Sequence, residues 1–183
     1  DKRVRVLHRP SKLGLGTAYT AAFQLGLHED YRYFFEMDAD LSHDPRHLPA
    51  ILARAAAADV VIGSRYVAGG KIVNWRLQRR LLSRFANAYV RTLAGVGARD
   101  CTSGYRCWRR AALARLPIDE IGSNGYAFLV EMIWYATRLG MRIAEAPIEF
   151  VERREGQSKM SWKVVRESVA LPWKLRRRTD VHL

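Results

Sequence analysis

At 183 residues and 49% hydrophobic composition, the chain suits one domain with an ample core. Its 31 Lys and Arg against 18 Asp and Glu give a formal charge of +13 and a pI near 10.3, so the partner is expected to be anionic: nucleic acid, acidic headgroups or a phosphorylated substrate. No run of 18 apolar residues occurs, so neither a membrane span nor a signal peptide is expected, and two cysteines, Cys101 and Cys107, are too few for a disulfide framework or a zinc site and fit packing roles in a reducing, cytosolic compartment.

In chain order, Arg3-Val4-Arg5-Val6-Leu7-His8 alternates and breaks at Arg9-Pro10, the pattern of a strand and a loop. Lys12-Leu13-Gly14-Leu15-Gly16 then opens an alanine-rich helical pattern over 17–27. The positive end of that helix and Lys12 could face phosphate, or Gly14 and Gly16 could serve only close helix packing. Tyr33-Phe34-Phe35-Glu36-Met37-Asp38-Ala39-Asp40-Leu41-Ser42-His43-Asp44-Pro45 is an apolar run that stops at two carboxylates. It predicts a buried strand delivering Asp38 and Asp40 to its C-terminal end, where open α/β sheets place ligands. Asp44-Pro45 caps a helix predicted over 47–58. Asp59-Val60-Val61-Ile62-Gly63-Ser64-Arg65 reads as another buried strand, so the order is strand, helix, strand, helix, strand, and a mainly parallel sheet is expected.

A glycine-containing loop over 66–74 precedes a helix predicted over 75–93. Leu77, Leu81, Leu82, Phe85, Tyr89 and Leu93 fall at helical spacing in it, with Arg76, Arg79, Arg80 and Arg84 between them. Such a basic amphipathic helix is ordinarily a solvated surface element, yet Arg79 follows the loop and could grip a phosphate through its planar fork. Asp100-Cys101-Thr102-Ser103-Gly104-Tyr105-Arg106-Cys107-Trp108 reads as a turn and a strand. Ser123-Asn124-Gly125-Tyr126 caps a helix over 127–139 whose one acid, Glu131, is either a satisfied structural partner or a site group. Residues 141–150 alternate as a strand, 152–160 form a polar, basic loop, and 161–178 mix tryptophan with arginine, as a membrane-interface helix or a packed terminal helix would.

Asp38 and Asp40 are hard oxygen donors that suit Mg²⁺ or Mn²⁺ when a substrate phosphate completes the shell; the alternative is a solvated loop. The motifs together, Gly14-Leu15-Gly16, Met37-Asp38-Ala39-Asp40-Leu41-Ser42-His43, Gly63-Ser64-Arg65, the 100–106 segment and Arg153-x-x-Gly156-x-Ser158-Lys159, resemble the polyprenyl-phosphate mannosyltransferases, the dolichol-phosphate mannose synthase group of family two glycosyltransferases. The likeness runs from about Val4 to Lys159. It implies a Rossmann-like GT-A nucleotide-sugar-transferase fold with helices on both faces of the sheet, and inverting transfer of mannose from GDP-mannose to a polyprenyl phosphate. The chain opens in what reads as the third strand of that fold, so the expectation is a catalytic domain over 1–160 without its first strand-helix units, followed by a basic amphipathic segment over 161–183.

By the same resemblance Asp38 and Asp40 hold the metal, with Ser42 as a third candidate ligand. Asp38, Asp40, Lys12, Gly14 and Arg65 bind the donor, while Arg79, Ser83, Arg153 and Lys159 surround the acceptor phosphate. Asp40, Arg65, Arg79 and Arg153 carry the catalytic roles. The expected location is the inner face of the plasma membrane, held peripherally by basic residues. The alternatives are glucosyl transfer from UDP-glucose to the same lipid, and a non-catalytic nucleic-acid-binding module. The latter predicts aromatics interleaved with Lys and Arg on a sheet face, whereas the basic residues here sit on helices and loops, so no nucleic-acid partner is expected.

Overall fold

The structure is a computed structural model that describes residues 1–11, 13–123, 125–152 and 162–178, except the side chains of 162–165, 167 and 168. Helix α1 (Leu15–Leu27) leads to strand β1 (Tyr33–Glu36), a 3-10 turn (Pro45–His47), helix α2 (Leu48–Ala55) and strand β2 (Val60–Ser64). Strand β3 (Lys71–Val73), helix α3 (Leu77–Ala94), strand β4 (Arg106–Arg109), the short helix α4 (Arg110–Leu113) and helix α5 (Tyr126–Arg138) follow. Strands β5 (Ile143–Pro147) and β6 (Glu149–Val151) and helix α6 (Trp162–Arg177) complete the order.

The main sheet runs β1-β4-β2-β5. β2 and β5 are parallel, from Val60↔Ile143 to Ser64↔Pro147, and all five residues of β2 are buried, as a strand covered on both faces requires. β4 lies between β1 and β2 and runs antiparallel to both, with Phe34↔Trp108 and Val60↔Trp108 in register. The expected parallel pairing thus holds for β2 with β5 and for β3 with β6, and β4 makes the main sheet mixed.

Three expectations change. Residues 3–8 join neither sheet: Val4 and Val6 are 69% and 70% exposed, and an alternating segment becomes a strand only when a neighbour accepts its backbone hydrogen bonds. The loop over 66–74 contains β3. The single strand expected over 141–150 divides at Ile148, whose N–H bonds Ser64 O at 3.1 Å and whose carbonyl accepts Lys71 N–H at 2.9 Å, so the chain steps from the main sheet to the two-stranded one.

Helices cover both faces. On one, Ile51 and Ala55 of α2 pack with Val61, Tyr105, Cys107 and Ala146. On the other, α5 is buried from Ala127 to Ala136, and Phe128, Met132 and Trp134 meet Trp108, Val60 and Phe23. Full burial of a large apolar side chain contributes about 1.5–3 kcal/mol, so this packing fixes the sheet under the site. Both cysteines are free and buried as expected, and burial pushes each thiol up to about 12. Glu131, only 5% exposed, pairs with Arg178 Nη1 at 3.3 Å, which settles it as a structural partner.

Candidate active site

β1 ends at Glu36 because the next residues turn away from the ladder. Leu41 adopts the left-handed region at φ 65, which costs a non-glycine residue about 1–2 kcal/mol. The turn is held by its own polar side chains. Asp40 Oδ1 accepts the Ser42 N–H at 3.1 Å and the Ser42 hydroxyl at 2.5 Å, and Asp38 N–H donates to His43 Nδ1 at 3.0 Å.

The Asp38 carboxylate is 43% exposed. Gly104 faces it: a Cβ there would stand in van der Waals contact, 3.6 Å from Asp38 Oδ1 and 3.7 Å from Leu129. Ser42 is buried under Asp40, and its hydroxyl orients that carboxylate.

His43, which sequence reasoning left without a role, is 4% exposed. Burial, helped by the charge of Arg65, pushes its pKa down to about 4, so the ring is neutral and its Nδ1 is an acceptor. The 3.8 Å approach of Nδ1 to Asp38 Oδ2 is therefore not an ion pair. Below them Glu36 is fully buried, accepts the Trp108 indole N–H at 2.5 Å, and has its pKa raised by that burial.

The opposite wall is basic and aromatic. Arg65, 9% exposed, donates Nε to Asp100 Oδ2 at 2.8 Å and Nη2 to Asp100 Oδ1 at 2.7 Å, while its own N–H reaches Oδ2 at 3.0 Å. Burial would lower its pKa, and Asp100 outweighs that and raises it. Nη2 also bonds Thr102 at 2.9 Å, and the rings of Tyr66, Trp75 and Phe150 lie 5.4, 5.6 and 5.3 Å from Cζ. Arg65 was expected as a catalytic, donor-phosphate ligand. Its Nε and Nη2 edge is engaged by the buried Asp100 carboxylate, and that pair holds this wall together.

Arg79, on the first turn of α3, stacks 4.0 Å over Trp75 and donates to Glu152 Oε1 at 2.5 Å. One turn on, Ser83 Oγ accepts the Tyr66 hydroxyl at 2.7 Å, and Asn87 Nδ2 bonds Ser83 O and Thr102 Oγ1 at 2.9 and 3.2 Å. His43, Phe150 and Trp75 connect the walls, with ring centroids 5.4 Å apart from His43 to Phe150 and 5.5 Å from Phe150 to Trp75.

Of the expected residues, Asp38, Asp40 and Ser42 gather on one turn, and Arg65, Arg79 and Ser83 gather on the facing wall. Gly14 opens α1 at φ 103, and its carbonyl accepts from Arg9 Nη1 and Thr17 Oγ1 at 3.2 and 3.1 Å. Gly16 is a packing glycine, since a Cβ there would meet Ser123 O at 2.8 Å. Lys12, Arg153 and Lys159 lie outside the described residues, as does most of the expected 152–160 loop. The additional residues found here, His43, Asp100, Tyr66, Trp75 and Glu152, carry individual polar or aromatic signals in the sequence, but the site partners of Asp100, Tyr66 and Glu152 are far away in the chain.

Among the described residues no group of three or more His, Cys, Asp or Glu side chains is arranged to hold a metal. Asp38 and Asp40 supply two hard oxygen donors beside an open loop, a set that fits Mg²⁺ or Mn²⁺ when diphosphate oxygens and waters complete the coordination.

The outer face of α3 is unexpectedly apolar. Leu77, Leu81, Leu82 and Phe85 are 68%, 58%, 59% and 67% exposed, while Asn87, Val90 and Ala94 face inward. A hollow of about 400 Å³ between α3 and α6 is lined by Phe85, Ala88, Tyr89, Thr92, Leu93 and Trp173. No helix among the described residues is long and apolar enough to cross a membrane.

Residues 1–116 match the description Glycosyl transferase family 2. The undecaprenyl-phosphate mannosyltransferase of Micrococcus luteus is 48% identical over 169 residues, 92% of this chain and 70% of that protein. The polyprenol monophosphomannose synthase of Mycolicibacterium smegmatis is 46% identical over 181 residues, 97% of this chain and 68% of that one. Among solved structures, the glucosyl-3-phosphoglycerate synthase of Mycobacterium tuberculosis superposes with TM-scores of 0.59 in its UDP complex and 0.61 in its phosphoglyceric acid complex. Both are at 18% identity and cover 96% of this chain. The chain spans 58% and 59% of those two chains, and the likeness shows the GT-A fold. A strand edge carrying an Asp-x-Asp turn, set in this fold and matched over most of its length by polyprenyl-phosphate mannosyltransferases, places the chain in glycosyl transferase family 2.

Proposed function

We propose that the protein transfers mannose from GDP-mannose to a polyprenyl phosphate with inversion at the anomeric carbon, using a divalent metal, at the inner surface of the plasma membrane. The observation that carries this reading is the turn after β1, where Ser42 orients the Asp40 carboxylate and His43 holds the Asp38 main chain at the edge of the sheet. The activities for which the two relatives are named support the acceptor and the sugar.

The acceptor phosphate is ionised at neutral pH, so it attacks C1 without a general base. The electrostatic problem is to bring two anionic reactants together. A cation held by Asp38 and Asp40 would neutralise charge on the leaving diphosphate. On the other wall Arg79, already braced by Trp75, offers a guanidinium to the acceptor phosphate with Ser83 one turn away, and the motif Arg153-x-x-Gly156-x-Ser158-Lys159 contributes Arg153 and Lys159 to the same phosphate. Lys12 and the start of α1 at Gly14 serve the donor. Arg65 acts from behind, because its pair with Asp100 fixes the 100–104 segment that walls Asp38.

Membrane contact falls on α3. Its exposed leucines and Phe85 enter the interface, and Arg76, Arg80 and Arg84 meet acidic headgroups at about 1 kcal/mol per basic residue. The lipid chain then stays in the bilayer while its phosphate reaches Arg79. The test is transfer of radiolabelled sugar into organic-extractable lipid, with GDP-mannose and UDP-glucose compared directly. Mannose label that depends on metal and disappears in Asp40→Ala is expected. Metal-independent transfer by that variant, or label from UDP-glucose alone, overturns the proposal.

A further inference from the structure

We infer that Glu152 holds the place of the acceptor phosphate on Arg79, so that acceptor binding exchanges one anion for another on the same guanidinium. This rests on the assignment of Arg79 to the acceptor phosphate. In a chain of net charge +13, a carboxylate against a site arginine is a feature that calls for a role. The contact is short, 2.5 Å from Arg79 Nη1 to Glu152 Oε1, and it is made where Arg79 is already stacked 4.0 Å over Trp75. The guanidinium is thereby fixed in direction before any substrate arrives, with a two-oxygen anion in the place a phosphate would take.

The main chain of Glu152 is pinned independently of its side chain. Its N–H bonds Val73 O at 3.2 Å, continuing the parallel pairing of β3 with β6. Arg79 comes from a different element, α3, so the pair bridges the helix to the end of the two-stranded sheet. Both side chains are about one-third exposed, 36% and 37%. Such a half-solvated pair is weak enough to be replaced. A phosphate monoester at neutral pH carries nearly twice the charge of a carboxylate and more acceptor oxygens, so it wins the guanidinium when present. The released carboxylate remains beside the bound anion and repels it, which limits affinity and favours release of a phosphodiester product carrying less charge than the acceptor.

The experiment measures binding of farnesyl phosphate in detergent micelles by calorimetry, which requires no turnover. Glu152→Gln is expected to tighten binding about three- to tenfold, Arg79→Ala to weaken it at least tenfold, and the double variant to match Arg79→Ala within about twofold. Glu149→Gln, three residues earlier on the exposed edge of β6, reports the general effect of removing a negative charge and is expected to change affinity less than 1.5-fold. If Arg79→Ala binds as the wild type does, the assignment of Arg79 fails and this inference with it. If Arg79→Ala weakens binding but Glu152→Gln also weakens it, or tightens it equally without Arg79, the assignment stands and the place-holding role is overturned. An equal gain in Glu149→Gln overturns it as well.

Discussion

Arg65 and Asp100 form a buried pair with three hydrogen bonds between them, across 35 positions of sequence. Asp100 is fully buried and Arg65 nearly so, and the pair ties the end of β2 to the segment that leads into β4. It joins the basic wall of the site to the backbone that faces Asp38.

Removing one member strands the other charge. Asp100→Ala is expected to destabilise the fold by about 3–5 kcal/mol, and Arg65→Met with Asp100→Leu to recover much of that loss, because breaking a buried pair costs more than replacing it with apolar side chains. Urea denaturation of the single and double variants measures both. A single variant within about 1 kcal/mol of wild type contradicts the structural role assigned to Arg65.

Ser42 orients Asp40 through a 2.5 Å hydroxyl bond, while its carbonyl accepts Val151 N–H at 3.3 Å. Ser42→Ala keeps the backbone contact and loses the hydroxyl. Loss of a group that orients a metal ligand typically weakens metal binding by about 10–100-fold. Titration of Mn²⁺ by electron paramagnetic resonance in the presence of GDP is expected to show at least a tenfold weaker affinity; an unchanged affinity removes Ser42 from the metal-binding arrangement.

His43 links stability to pH in the metal-free protein. Burial holds its pKa near 4 against an ordinary value of 6.5, so between those values the unfolded chain binds more protons than the native one. Native stability therefore rises with pH across that window and falls as pH drops through it, by about 2–3 kcal/mol between pH 7 and 4.5 from this group. His43→Asn keeps an acceptor for the Asp38 amide and does not titrate. Urea denaturation at pH 7, 5.5 and 4.5 is expected to show a shallower slope in the variant; parallel slopes refute the assignment.

The exposed face of α3 makes a prediction separable from catalysis. Phe85 is 67% exposed, so Phe85→Ala is expected to leave folding stability within about 0.5 kcal/mol and to reduce binding to vesicles containing acidic lipid about tenfold. Arg80→Gln and Arg84→Gln are each expected to reduce it about fivefold, an effect that fades in high salt. Sedimentation with vesicles reads both, and unchanged binding in Phe85→Ala excludes this face as the membrane contact.

Parts of the fold whose signal is local were legible from the residues alone. An apolar run cut off by Asp38 and Asp40 needs only its neighbours to become a strand with carboxylates at its end, and β1 ends at Glu36. Helical periodicity likewise marked α1, α3 and α5 to within a few residues. The tertiary structure decided everything that depends on which distant segments meet: the insertion of β4 antiparallel between β1 and β2, the division of the last strand at Ile148, and the commitment of Arg65 to Asp100. It also decided the direction of α3. A stripe of leucines at helical spacing reads the same whether it faces a core or an interface, because the period of a helix specifies two faces and only packing chooses the one that is buried.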